Sequence, residues 1–396
     1  MLDWRKGMRR RLVILSLVPV LLAACGGSGG SSAAKPPYTI DVIIPLTGGA
    51  AFLGTAEQQA LQALKKVVND RGGIQGRPLD FNIHDDTTSP TVAVQLADQI
   101  IAKKVPVFLG PSLVALCKAI QPLLTDGPVM YCFSPGIHPV PGSFAFTASV
   151  STTDLMKALF AFFNSKSWTQ IGVLTSTDAT GQDADAAIKA TLALADNSAF
   201  HVSSWEHFTP TDVSVSAQLT RIKASGAQAL ITWSTGTPVA TVFKGVAQAG
   251  LDIPVATTDG NMTYAQMKQY KDFLPSQLYI PSPEWPAYQS LPAGPVKDAL
   301  KTYYDAFNAQ GIKPDIGQSL AWDPALIVVA ALQHLGPNAT AGQLKDYINK
   351  LSGFAGVNGR YDFSATPQRG LTARQAIVTR WDSTQQTWVP ASSPGG

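Results

Sequence analysis

Catalysis needs a nucleophile with a base, a matched acid–base pair or a metal cluster, and the 396 residues offer few candidates. Gly110-Pro111-Ser112 presents a serine after a turn. It lacks the second glycine and the His/Asp partners of a Gly-x-Ser-x-Gly nucleophile elbow. No Gly-x-x-x-x-Gly-Lys-Ser/Thr phosphate loop occurs. The five histidines (His84, His138, His201, His207 and His334) show no metal-ligand spacing, and His201 and His207 lie six apart around a strand. Asp85-Asp86, at the carboxyl end of a strand, reads as a loop-capping or cleft-edge pair rather than a general acid and base. Three cysteines exclude a disulfide scaffold and a Cys₄ zinc site. These residue types predict no enzyme, no metal and no cofactor.

Binding chemistry has to be positioned by regular elements, and these are legible from Tyr38 onward. Tyr38-Thr39-Ile40-Asp41-Val42-Ile43-Ile44-Pro45 reads as a buried strand. Ala60, Leu64, Val67 and Val68 have helical spacing, and Arg71-Gly72-Gly73 ends that helix. Leu79, Phe81 and Ile83 alternate as a strand. Ser89 then caps a helix with Pro90 at its first position. Residues 105–109 form the next strand. This βαβαβ rhythm predicts a parallel sheet with helices on both faces. It restarts after about Thr147, with strands at 171–174, 229–233 and 255–257 and helices at 183–194 and 238–249. A Pro-rich passage, 275–295, interrupts it; helices return at 296–310 and 323–335, and a hairpin spans 375–389.

Composition agrees with a folded chain: 45% of residues are hydrophobic and 14% charged. The length calls for at least two domains. The net charge is +3, of which residues 1–24 carry +4, leaving −1 on the rest. That balance gives no nucleic-acid footprint. Arg9-Arg10-Arg11, the apolar run 12–22 and Ala23-Ala24-Cys25 make a basic region, a short apolar region and a small-residue cleavage zone. Leu22-Ala23-Ala24-Cys25 resembles a bacterial lipobox, a resemblance that implies cleavage after residue 24 and lipidation of Cys25. Met8 is an alternative start. Residues 25–37, rich in Gly and Ser, read as a flexible tether that lets a folded body swing above a membrane. No later segment has 18 uninterrupted apolar residues.

Several stretches, in order, resemble one family. They are Pro45-Leu46-Thr47-Gly48, Asn69-Asp70-Arg71-Gly72-Gly73-Ile74-Gln75-Gly76-Arg77-Pro78-Leu79, Leu109-Gly110-Pro111-Ser112, the run 218–227, Gln248-Ala249-Gly250-Leu251 and Trp322-Asp323-Pro324-Ala325. Together they resemble the type I periplasmic binding proteins of ABC importers, in the leucine/isoleucine/valine-binding group, over about 38–389. The resemblance implies an α/β fold of two Rossmann-like lobes joined by three crossover segments, with a ligand held between them. The implied lobes are 38–147 with 283–370, and 148–282 with 371–390.

The resemblance also implies site residues. The loop Gly110-Pro111-Ser112 would hold a ligand carboxylate with backbone N–H groups and the Ser112 hydroxyl; the other reading of Ser112 is a helix cap. Four residues after Gly110 the family often has a hydroxyl residue, and here stands Val114. In Ser134-Pro135-Gly136-Ile137-His138-Pro139, Gly136 would offer backbone, and His138 replaces the family's Thr. Asp259 matches the acid that receives the ligand ammonium. Thr180 and Thr237 stand where many relatives carry aromatics, which opens the pocket, and Trp285 or Trp322 would then serve as apolar walls. Cys117 and Cys132 are either a disulfide, which export permits, or two free thiols. The implied function is capture of a small ligand, an amino acid or small carboxylate, for delivery to ABC permease subunits. The implied protein is monomeric, exported and held at the membrane by its N-terminal lipid. A sensor of the same fold, or a binder of amides or amine-free aromatic or aliphatic carboxylates, is the alternative.

Overall fold

The computed structural model describes residues 35–394; the leader, Cys25 and most of the tether lie outside the described residues. Its strands, in chain order, are β1 (Tyr38–Ile44), β2 (Leu79–Asp85), β3 (Val107–Leu109), β4 (Val129–Cys132), β5 (Ala145–Thr147), β6 (Gln170–Ser176), β7 (His201–Phe208), β8 (Ala229–Trp233), β9 (Val255–Ala256), β10 (Leu278–Pro283), β11 (Ser352–Ala355), β12 (Arg360–Asp362), β13 (Ala376–Asp382) and β14 (Thr387–Pro390). The first sheet has the order β2-β1-β3-β4-β5 and is parallel throughout. The second has the order β14-β13-β10-β9-β8-β6-β7, parallel from β10 to β7 and antiparallel at β13 and β14. A small antiparallel pair, β11 and β12, stands apart.

The central strands are continuous apolar runs because helices cover both faces of each sheet. Every residue of β4 and of β8 is buried. Ser89 caps the helix Pro90–Ala102, its Oγ accepting from the Val92 N–H at 3.4 Å. The Pro-rich passage contains β10, which pairs with β9 at Leu278 and Tyr279 and with β13 from Tyr279 to Pro283. Pro281 and Pro283 thus lie beyond the β9 ladder, where a missing N–H removes no bond to that neighbour.

The helix expected at 323–335 begins earlier, as Ile316–Leu335. Asp315 and Gln318 form a capping box at its start, and Pro324 lies inside the helix. Asp323, which looked like the start, is buried and accepts from the N–H groups of Val357 and Asn358 at 2.8 and 2.9 Å and from the Tyr361 hydroxyl at 2.9 Å. This helix is apolar and long enough to cross a membrane, but most of it is buried, largely against the helix Ala51–Asp70. Trp322 belongs to its core face, edge-on to Tyr303 with ring centroids 5.2 Å apart.

The chain passes between the sheets after β5, after β10 and before β13. The helices Pro295–Asn308, Ile316–Leu335 and Ala341–Lys350 pack beside the first sheet, so that lobe is completed by residues far from its strands.

Candidate functional site

The carboxyl ends of the strands converge on one narrow cleft between the sheets, closed down to about 20 Å³. Ser112, Leu113 and Val114 enter it after β3, and Ser134, Pro135 and Gly136 after β4. From the other lobe come Thr152, Thr180 and Asp183, then Trp233 at the end of β8 and Thr235 after it, then Thr258, Asp259 and Gly260 after β9. Leu53 and Leu320 add apolar wall from two helices.

Ser112 is buried, and its hydroxyl donates to Glu57 Oε2 at 2.5 Å. The helix after it, Val114–Ile120, starts two residues later with Leu113 at its cap, so Ser112 is not that cap. Glu57 is fully buried; burial pushes its pKa up to about 8, against the Ser112 bond and with help from the charge of Asp86. Glu57 Oε1 has no partner. Asp86, beside it, is likewise pushed up to about 7 by burial. Asp85 behaves oppositely. Burial raises it, but bonds from the Thr47 hydroxyl and the N–H groups of Leu46, Thr47 and Thr87 outweigh that and lower it. Asp85 therefore caps the loop after β1. Cys117 and Cys132 are disulfide-bonded, tying the helix behind Ser112 to the end of β4.

The loop after β4 is held from behind. Arg369 is buried and donates to the carbonyls of Pro135 at 3.0 Å, Ile137 at 2.6 Å and Ser149 at 3.2 Å. With carbonyls for partners, its guanidinium is pulled down by burial to about 10, opposed by the charges of Asp154 and Asp183. Gly136 stays on the cleft side, where a Cβ would come within 2.6 Å of Val114 Cγ2 and 2.9 Å of Asp183 Oδ2.

On the opposite wall, Thr180 lies in the first turn of the helix Ala179–Leu192, which Asp178 caps. Asp259 follows β9 in a short 3₁₀ turn and is fully buried. Burial pushes its pKa up to about 7, offset in part by the Thr258 hydroxyl, which donates to Oδ1 at 3.1 Å. Asp259 Oδ2 and Asp183 Oδ2 are both buried without a partner.

Three expected site residues stand elsewhere. His138 does not line the cleft; its Nε2 lies 2.6 Å from Asp183 Oδ1, joining the loop after β4 to the other lobe. Thr237 also lies outside, donating its N–H to the Gly49 carbonyl of the first lobe at 3.2 Å. Beside it, a Cβ on Gly236 would meet that carbonyl at 2.6 Å. Trp285 is buried in the core after β10, not in the cleft. Tyr304 donates to its carbonyl at 3.3 Å. Trp233 supplies the aromatic wall instead. Sequence reasoning missed Glu57, Asp183, Trp233 and Arg369. Glu57 had a signal: an acid set among Leu53, Ala60, Leu61 and Leu64 on the buried helical stripe.

A wider depression borders Glu284, Leu291, Lys297, Arg360 and Ser392 and shares no residue with the cleft. Burial pushes Glu284 up to about 7. Among the described residues, no three His, Cys, Asp or Glu side chains form a metal-binding group.

A family model described as periplasmic binding protein matches residues 37–386. The Leu/Ile/Val-binding protein homolog 1 of Brucella abortus is 35% identical over 71 residues, 18% of this chain. That match spans 19% of the relative's own length. Among solved structures, the branched-chain amino acid transporter substrate binding protein LivJ of Streptococcus pneumoniae, in complex with isoleucine, superposes with a TM-score of 0.73. It is 18% identical, covering 89% of this chain and 99% of that one. An ABC transporter solute binding protein of R. palustris in complex with 4-hydroxybenzoate gives a TM-score of 0.74 at 16% identity, covering 91% and 96%.

Proposed function

From the premise that this chain belongs to the type I periplasmic binding proteins of the leucine/isoleucine/valine-binding family, we propose that it captures a small amino acid, branched-chain or related, and delivers it to an ABC importer. The lobes, 38–147 with 283–370 and 148–282 with 371–390, close on the ligand by hinge motion. Cys25 is lipidated and the 25–37 tether holds a monomer at the outer face of the membrane, within reach of the permease.

The observation that carries this reading is Asp259: a buried carboxylate at the end of β9, with Oδ2 unpartnered and facing the cleft. An ammonium is its natural partner, and a charge-assisted bond offsets the cost of burying the acid. Across the cleft, the Ser112 loop receives the ligand carboxylate, with Glu57 buried behind Ser112. A protonated Glu57 lets the Ser112 hydroxyl turn toward that carboxylate instead of donating to the acid.

One observation favours a second reading. The R. palustris neighbour holds 4-hydroxybenzoate, an amine-free carboxylate, in the same fold. The test is calorimetric titration of protein unfolded and refolded to strip carried ligand, with amino acids and with matched acids lacking the amine. One-to-one binding of an amino acid supports the first reading. Binding of the amine-free acids alone replaces it with the second, and silence of a broad panel sinks both.

A further inference from the structure

Asp183 has a property that binding of an ammonium at Asp259 does not use. It lines the cleft and is 6% exposed. Its Oδ1 is occupied by His138 at 2.6 Å, while its Oδ2 is buried without a partner. The atom in front of Oδ2 is missing by design of the sequence: Gly136 lines the cleft there, and a Cβ would stand 2.9 Å from that oxygen. Any side chain at 136 would crowd that oxygen and Val114 Cγ2 together, so glycine leaves Oδ2 uncovered at the cleft wall.

Asp183 and Asp259 approach the cleft from different strands. Asp183 is on the helix after β6 and Asp259 follows β9, and β8 lies between those strands. Two strand spacings put the two origins about 10 Å apart. An ammonium seated at Asp259 thus leaves the Asp183 end for another part of the same ligand. His138 already pairs with Asp183, so that part need not be a second cation; a neutral donor suffices.

We infer that Asp183 is a specificity-determining residue whose free oxygen accepts a hydrogen bond from a side-chain O–H or N–H of the ligand. The cleft then prefers an amino acid with a neutral donor in its side chain to its hydrocarbon isostere. This rests on the amino-acid reading above and narrows it. The physical ground is asymmetry: a hydrocarbon side chain leaves a buried carboxylate oxygen unpaired, whereas a donor satisfies it. A site built around such a bond rejects analogues that lack the donor far more strongly than an apolar pocket rejects an added hydroxyl. Leu53, Val114 and Leu320 supply apolar wall for the rest of the side chain.

The experiment is calorimetric titration of the refolded protein with isosteric pairs: threonine against valine, asparagine against leucine, and 3-hydroxybutyrate against 3-methylbutyrate. The expected result is that the donor-bearing member of at least one amino-acid pair binds at least tenfold tighter. Asp183→Ala should bring that pair to within about twofold, while His138→Ala weakens both members and keeps their order. Should Asp183→Ala fail to fold, the wild-type comparison still decides. Valine and leucine binding as tightly as threonine and asparagine, or more tightly, overturns the inference. A preference seen in the hydroxy- and methylbutyrate pair alone upholds Asp183 and sinks the amino-acid reading. Silence of all six compounds overturns both.

Discussion

His138 Nε2 lies 2.6 Å from Asp183 Oδ1, and the two side chains belong to opposite lobes. The imidazole is 53% exposed and the carboxylate 5%. Water screens a pair this open on one side, so its worth is up to about 1 kcal/mol. His138→Ala should speed ligand release by roughly two- to fivefold with little change in association, read by stopped-flow fluorescence. Unchanged release would mean that the pair does not help hold the lobes together.

Gly236 has φ +84°, and a Cβ there would meet the Gly49 carbonyl of the other lobe at 2.6 Å. Gly236→Ala should keep the lobes apart. The expected loss of affinity is tenfold or more, while the fold loses roughly 1 kcal/mol from the backbone conformation alone. X-ray scattering with saturating ligand should give a larger radius of gyration than wild type. Wild-type affinity in this variant would show that the approach to Gly49 is not needed.

Asp259→Asn keeps the size and removes the charge. An amino-acid ligand should bind at least tenfold more weakly, and an amine-free acid should be indifferent. Because burial pushes Asp259 up to about 7, the acid is largely protonated at pH 6 and must lose its proton to hold an ammonium. Affinity for amino acids should therefore rise with pH from 6 to 8, with proton release detected by titration in buffers of different ionisation heat. A pH-flat affinity would remove Asp259 from that role.

Glu57 titrates near 4.5 when exposed and near 8 in the folded protein. Between those values the folded state holds a proton that the unfolded state has lost, so stability falls as pH rises. This penalty is absent below about pH 4.5, grows through the window and is constant above about 8. Glu57→Gln should accordingly stabilise the protein on the order of a few kcal/mol more at pH 8 than at pH 5. Denaturant melts at the two values check it, and an equal effect at both would contradict the burial argument.

The βαβ rhythm was legible because parallel strands covered on both faces read as mostly apolar runs, as Val42-Ile43-Ile44 in β1 and Ala229-Leu230-Ile231 in β8 do. The start of the helix Ile316–Leu335 was not, because Asp323-Pro324 imitates a helix start that Asp315 and Gln318 provide earlier. A strand as short as β5 carries too little pattern to stand out. In the cleft, Ser112 and Asp259 were readable as residues after strands, and Gly136 and Thr180 only through the family resemblance. Contacts between distant segments were not. Glu57 meets Ser112 across 55 positions, Asp183 meets His138 across 45, and Arg369 reaches back more than 200, and no local spacing records such pairs.

Arg369 stands just before the last passage between the lobes and grips carbonyls on either side of the first, at Pro135, Ile137 and Ser149. It acts as a rivet through two of the straps that join the lobes. The stretch after β10 receives no bond from Arg369, so of the three straps it alone lacks this fastening.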